Sequence, residues 1–160
     1  MAVDMFLKIE GIKGESADHK HAGEIEVLSW SWGMSQTGTT HMGSGGGAGK
    51  ANVQDVSITK YVDRSTPILL KHCVSGLHIK EMLLTVRKAG GKPLEYVKLK
   101  MKDALVSGLH TAGTGSDERL TEQLTLNFAS FEMEYVPQKA DGSGDASIPM
   151  TWNIARNSEK

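Results

Sequence analysis

The chain has 160 residues, with 18 Lys plus Arg against 19 Asp plus Glu, and one cysteine, Cys73. That length fits a single domain spanning 1–160 that buries roughly 70% of the surface its unfolded chain exposes, so no disulfide or metal is needed to hold it. The near-zero net charge excludes the basic excess of a nucleic-acid or anionic-membrane binder and does little to oppose self-association. A lone cysteine fits folding in a reducing cytoplasm. The first residues, Met1-Ala2-Val3-Asp4-Met5-Phe6-Leu7-Lys8, lack the basic-then-apolar order of a secretory leader. No stretch has the ~18 apolar residues of a membrane-spanning helix.

In chain order, Val3, Met5, Leu7 and Ile9 alternate with Asp4, Lys8 and Glu10, which predicts a half-buried strand. His19-Lys20-His21 reads as a solvated polar loop. Ile25 and Val27 then point one way before Leu28, Trp30 and Trp32 take over. A one-residue change of phase predicts a bulge or a strand passing between sheets. Residues 33–50 are rich in Gly, Ser, Thr and Met around Gly45-Gly46-Gly47 and form a long protruding loop, a feature that is uncommon and usually functional. A strand follows over 53–59. A short helix is expected at Thr66–Ser75, with Ser65 as its cap, Pro67 in its first turn and Gly76 as its stop. Leu69 with Cys73, and Leu70 with Val74, are i,i+4 apolar pairs. The helix is expected to pack on a barrel and close one of its open edges, with Cys73 buried.

Met82, Leu84 and Val86 mark another strand, and residues 89–93 a hairpin connection. Val97, Leu99 and Met101 alternate with Lys98, Lys100 and Lys102, a strand with an open basic face. Leu124, Leu126 and Phe128 give way to Phe131, Met133 and Tyr135, a second change of phase. Residues 138–147 are a Gly/Ser/Asp-rich flexible loop, and Ile148, Met150, Trp152 and Ile154 alternate near the C-terminus. The pattern is mainly all-β: two antiparallel sheets forming a β-barrel or sandwich, with one short flanking α-helix.

Chemistry-bearing motifs are wanting. Gly49-Lys50 lacks the leading glycine and the following Ser/Thr of a phosphate loop, and a strand rather than a helix follows. His19 and His21 have no partners at metal-ligand spacing. His72 and Cys73 are helix neighbours pointing about 100° apart, so they cannot form a nucleophile–base pair. No Gly-x-Ser-x-Gly elbow accompanies His110 and Asp103. Glu132 and Glu134 alternate with Met133 as a solvated sheet face would. The expectation is no enzyme, no cofactor and no metal. If Trp30 and Trp32 are buried, Ser29 and Ser31 occupy the open face. In the loop, Met34, Gln36, Thr39, His41 and Met42 are set to contact a partner surface. A small-molecule carrier barrel is the alternative reading.

The run Val27-Leu28-Ser29-Trp30-Ser31-Trp32-Gly33-Met34-Ser35-Gln36, followed by Ala51-Asn52-Val53-Gln54-Asp55-Val56 and by Thr59-Lys60-Tyr61-Val62-Asp63-Arg64-Ser65-Thr66-Pro67, closely resembles the Hcp (haemolysin-coregulated protein) family of type VI secretion. So do Leu84-Thr85-Val86-Arg87-Lys88-Ala89-Gly90-Gly91 and the stretch from Arg119-Leu120-Thr121-Glu122 to Gln138-Lys139-Ala140-Asp141-Gly142. The resemblance spans nearly the whole chain. It implies a two-sheet barrel with one helix. It implies a homohexameric ring, and rings stacked into a tube that a contractile sheath drives out behind a spike. It further implies secreted effectors held in the ring lumen, which Ser29 and Ser31 are expected to line. The protein would reside in the cytoplasm before firing and be secreted without a cleaved signal.

Overall fold

The computed structural model describes residues 3–38, 41, 43, 47 and 49–160. Thr39 and Met42 therefore lie outside the described residues. The elements are β1 (Val3–Ile9), β2 (Ile25–Ser31), β3 (Met34–Ser35), β4 (Asn52–Val53), β5 (Val56–Tyr61), α1 (Thr66–Ser75), β6 (Ile79–Lys88), β7 (Leu94–Ala112), β8 (Thr121–Tyr135) and β9 (Ile148–Asn153).

Six strands close on themselves in the order β5-β2-β1-β6-β7-β8, all antiparallel, because β5 also pairs with β8. The strand β9 extends the sheet from β8, and β3 with β4 makes a separate two-stranded sheet. The interior is filled by Leu7, Ile25, Ile58, Leu84, Leu99, Leu124 and their neighbours. Each such side chain contributes roughly 1.5–3 kcal/mol by leaving water.

Both changes of phase are physical, and they differ. In β2 the pairing with β5 slips between Val27 and Ser29, a bulge at Leu28. Val27 and Trp30 can thus both face inward, while Ser29 and Ser31 face out. In β7 and β8 the register continues unbroken past the second change of phase. Met101 and Ala104 are both buried, opposite a buried Phe131 and Phe128. Asp103 between the first two adopts φ 50°. The two strands bend together there, and β8 changes its second partner at the same place. Residues 121–126 pair with β5 and 130–135 with β9. The barrel therefore has two walls. One comprises β2, β5 and the adjoining halves of β7 and β8. The other comprises β1, β6, the remaining halves of β7 and β8, and β9.

The helix α1 spans the expected residues, with Gly76 left-handed at φ 65° as its stop. Three details differ from expectation. Ser65 makes no side-chain cap; its hydroxyl and backbone N–H both donate to Asp63 Oδ1. Only one of the two apolar pairs faces the barrel: Leu69 is buried and Cys73 half-buried against the core, whereas Leu70 and Val74 are exposed. The helix closes no edge, since strand pairing closes the barrel; it packs on β7.

The hairpin over 89–93 joins β6 to β7 as expected, with Lys88 opposite Leu94. Residues 138–147 fold back on themselves. Lys139 N donates to Ser143 O at 2.8 Å and Asp145 N to Pro137 O at 2.8 Å. The strand expected near the C-terminus forms as β9, yet burial does not alternate along it, and only Trp152 and Ile154 pack on the core. Ile148 and Met150 stay exposed because β9 lies outside the closed circuit.

Candidate functional site

The wall built from β2, β5 and their partners carries small polar side chains on its outer face. Ser29 stands beside Thr59, and Ser31 beside Ser57; Ser57 stands beside Thr125, and Thr59 beside Gln123. Gln123 Nε2 donates to Ser57 Oγ at 3.0 Å. Ser107 Oγ donates to Asp55 Oδ2 at 2.6 Å, and Asn127 Nδ2 to Asp55 Oδ1 at 2.8 Å. A bulge in β7 at Ser107 brings Gly108 so close to Thr125 that a Cβ there would lie 2.6 Å from its hydroxyl oxygen. Ser29 and Ser31 are exposed, while Trp30 and Trp32 are half-buried against the core. Trp32 Nε1 also donates to Gln54 O at 2.8 Å.

This wall has two open edges. Pairing of β2 to β1 is confined to Ile25 and Glu26, so 28–31 has no strand beside it on that flank among the described residues. Pairing of β6 to β7 ends at Ile79 opposite Ala104, which leaves 105–112 of β7 similarly unpaired. Such edges are templates for another strand.

Of the loop residues singled out from the sequence, Met34 pairs with Val53 in the small sheet and is exposed. Gln36 accepts the Thr37 N–H through Oε1 at 2.9 Å. His41 is exposed.

Two polar clusters escaped the sequence reading. Inside the barrel, Lys60 Nζ donates to Glu122 Oε2 at 2.5 Å, to Tyr61 O at 2.8 Å and to Asp63 Oδ1 at 3.2 Å. Thr66 Oγ1, from the first turn of α1, donates to Glu122 Oε2 at 2.8 Å, and Thr111 Oγ1 to Oε1 at 3.1 Å. Both charges are completely buried and satisfied. The signal was present in the period of two: Val56, Ile58 and Lys60 share a face, as do Glu122, Leu124 and Leu126.

The second cluster overturns the solvated-loop expectation for His19-Lys20-His21. His19 and Lys20 are exposed, but His21 is buried, stacked on Phe6 with ring centroids 4.3 Å apart. Its Nδ1 lies 2.9 Å from Glu24 and its Nε2 3.0 Å from Glu95. Arg87 covers the same Phe6 ring and donates to both carboxylate oxygens of Asp18 and to Asp4. The hydrogen-bonded guanidinium holds the Asp18 carboxyl well below the usual carboxylate range. The cluster fastens the β1–β2 connection onto the other wall.

On that wall the lysines of β7 do not make an open basic face. Lys98 stands opposite Glu134, and Lys100 opposite Glu132, forming a ladder of mixed charge. His72 Nδ1 lies 2.9 Å from Ile68 O on its own helix. Among the described residues no three His, Cys, Asp or Glu converge as a metal site would require, and no helix is long and apolar enough to cross a membrane.

Residues 6–135 match the family described as "Type VI secretion system effector, Hcp". The chain is 57% identical to Protein hcp1 of Pseudomonas aeruginosa over 159 residues, 98% of each chain. It superposes on the crystal structure of Hcp1 from Salmonella typhimurium with a TM-score of 0.83 and 40% identity, covering 100% of both chains. A structure described as a type six secretion system protein superposes with a TM-score of 0.93 at 30% identity, covering 99% of this chain and 100% of that one.

Proposed function

The chain belongs to the Hcp family of type VI secretion proteins, and from that premise we propose that it is a non-enzymatic tube subunit whose copies close into six-membered rings. The rings stack into a tube that the sheath and spike proteins help to deliver. The protein waits in the cytoplasm, leaves the cell with the tube and carries effectors in the ring lumen.

The observation that carries this reading is the pair of open edges on one wall. The wall has four strands, β7, β8, β5 and β2, which alternate in direction. An even number of alternating strands brings the β2 edge of one copy antiparallel to the β7 edge of the next when copies are related by rotation. The contact joins two different surfaces, so it is heterologous and closes only as a ring. The wall so continued presents Ser29, Ser31, Ser57 and Thr125 towards the lumen. Short hydroxyl side chains leave a wide, wettable bore for a passenger protein. Met34, Gln36, Thr39, His41 and Met42 are assigned to contacts between subunits, in the same ring or the next.

A carrier barrel is disfavoured because apolar side chains and the Lys60–Glu122 pair occupy the interior. Negative-stain microscopy tests the proposal: annular particles are expected, and featureless monomers would contradict it. Amide exchange gives the finer test. Residues 28–31 and 105–112 should exchange slowly in the assembled protein and fast after dissociation.

A further inference from the structure

The two walls part company on both flanks of the barrel, and the flanks are complementary. On the flank where β6 and β7 part, α1 lies alongside and packs on β7. Between β1 and β2, no helix covers the parting among the described residues, and Ala17 and Asp18 of the β1–β2 connection lie along it. There the walls separate beyond Phe6 and Glu26, leaving a cleft of about 390 Å³. Val3, Met5 and Leu28 give it apolar sides, and Asp4, Asp18 and Glu26 give it carboxylates. Arg87 answers only Asp4 and Asp18, so the cleft remains acidic.

The free face of α1 has the opposite character. Leu70 and Val74 lie on it at i and i+4 and are both exposed, Val74 to 85%, and the exposed Leu77 follows just beyond the Gly76 stop. Lys71 stands beside this stripe, and the chain has no carboxylate between Arg64 and Lys80. An apolar stripe of this kind on a monomer marks a contact surface.

We propose that α1 of one copy seats its exposed Leu70–Val74 pair, with Leu77 just beyond the helix end, in the β1–β2 cleft of the next copy, with Lys71 facing the cleft carboxylates. The inference rests on the ring reading above and supplies its second contact. Since α1 flanks the open β7 edge and the cleft flanks the open β2 edge, joining those edges brings helix and cleft together. The backbone pairs edge to edge, and the helix covers the apolar surface that the parting walls leave open. Fit of apolar and charged surfaces selects the correct neighbour and register.

The test uses the full-length chain with Cys73→Ser. Val74→Cys and Leu28→Cys proteins, made separately, are assembled together and treated with a short bis-maleimide. Both positions are exposed, so neither change burdens the fold. The mixture is expected to give cross-linked dimer, and each protein alone is not, since the contact joins unlike surfaces. In parallel, Val74→Glu should keep the wild-type circular dichroism while native mass spectrometry shows ring dissociation at least about tenfold easier. Rings of Val74→Glu as abundant as the wild type's, or wild-type rings with no cross-link from α1 to cleft, overturn the inference and leave the ring standing. A wild-type chain that forms no rings removes the ring reading, and this contact with it.

Discussion

Lys60 Nζ lies 2.5 Å from Glu122 Oε2, with both side chains fully buried and the two residues direct cross-strand partners between β5 and β8. This contact sits on the pairing that closes the barrel, and it ties the first turn of α1 to the same carboxylate through Thr66. Glu122→Leu leaves a buried ammonium with only Asp63 and a carbonyl for company. The loss should be about 3–5 kcal/mol in urea denaturation. The double variant Lys60→Met/Glu122→Leu removes both charges and should recover most of that loss. A double variant no more stable than Glu122→Leu would show that the pair is not the seat of the effect.

Asp18 links acidity to stability through the outer cluster. Its carboxyl is held below the usual carboxylate range, first of all by the Arg87 hydrogen bond. A depressed value contributes stability that is present above the unfolded carboxylate value of about 3.9 and is lost as pH falls below it towards the folded value. Asp18→Asn should therefore lower the denaturation midpoint at neutral pH and flatten its decline below about pH 4. Equal acid slopes for the two proteins would place the acid sensitivity elsewhere.

Ser31 tests the lumen assignment. Its side chain is exposed and stands beside Ser57, so Ser31→Gln lengthens the wall surface without touching the core. Rings should persist in native mass spectrometry while co-purification of an effector falls. Undiminished capture would remove Ser31 from the lumen.

Much of this was legible in the chain because a period of two is a strong local signal. It located β1, the bulge at Leu28 and the bend at Phe128, and Gly76 marked the helix end. Which stripe of α1 faces inward was not legible. Leu69–Cys73 and Leu70–Val74 have equal spacing, and only the position of β7 chooses between them. The burial of His21 was hidden for a related reason: Phe6, Arg87 and Glu95 come from three different strands. Barrel closure through β5 and β8 joins segments some sixty residues apart, as Lys60 and Glu122 illustrate. The contacts proposed for Met34, Gln36 and His41 would involve surfaces of another copy, which a single chain does not contain.

The long loop tests stacking apart from folding. Replacing residues 37–48 with a short Gly-Ser turn touches none of the barrel strands. Circular dichroism and the thermal transition should stay near wild type, while electron microscopy should show single rings in place of tubes. Tubes of normal length would make the loop a tether and move stacking to another surface.

Ring closure is the central claim, and native mass spectrometry at micromolar concentration addresses it most directly. A species of six times the chain mass, with little dimer or trimer, is the predicted result, because a heterologous contact gains its full stability only on closure. A clean monomer at that concentration would contradict the account.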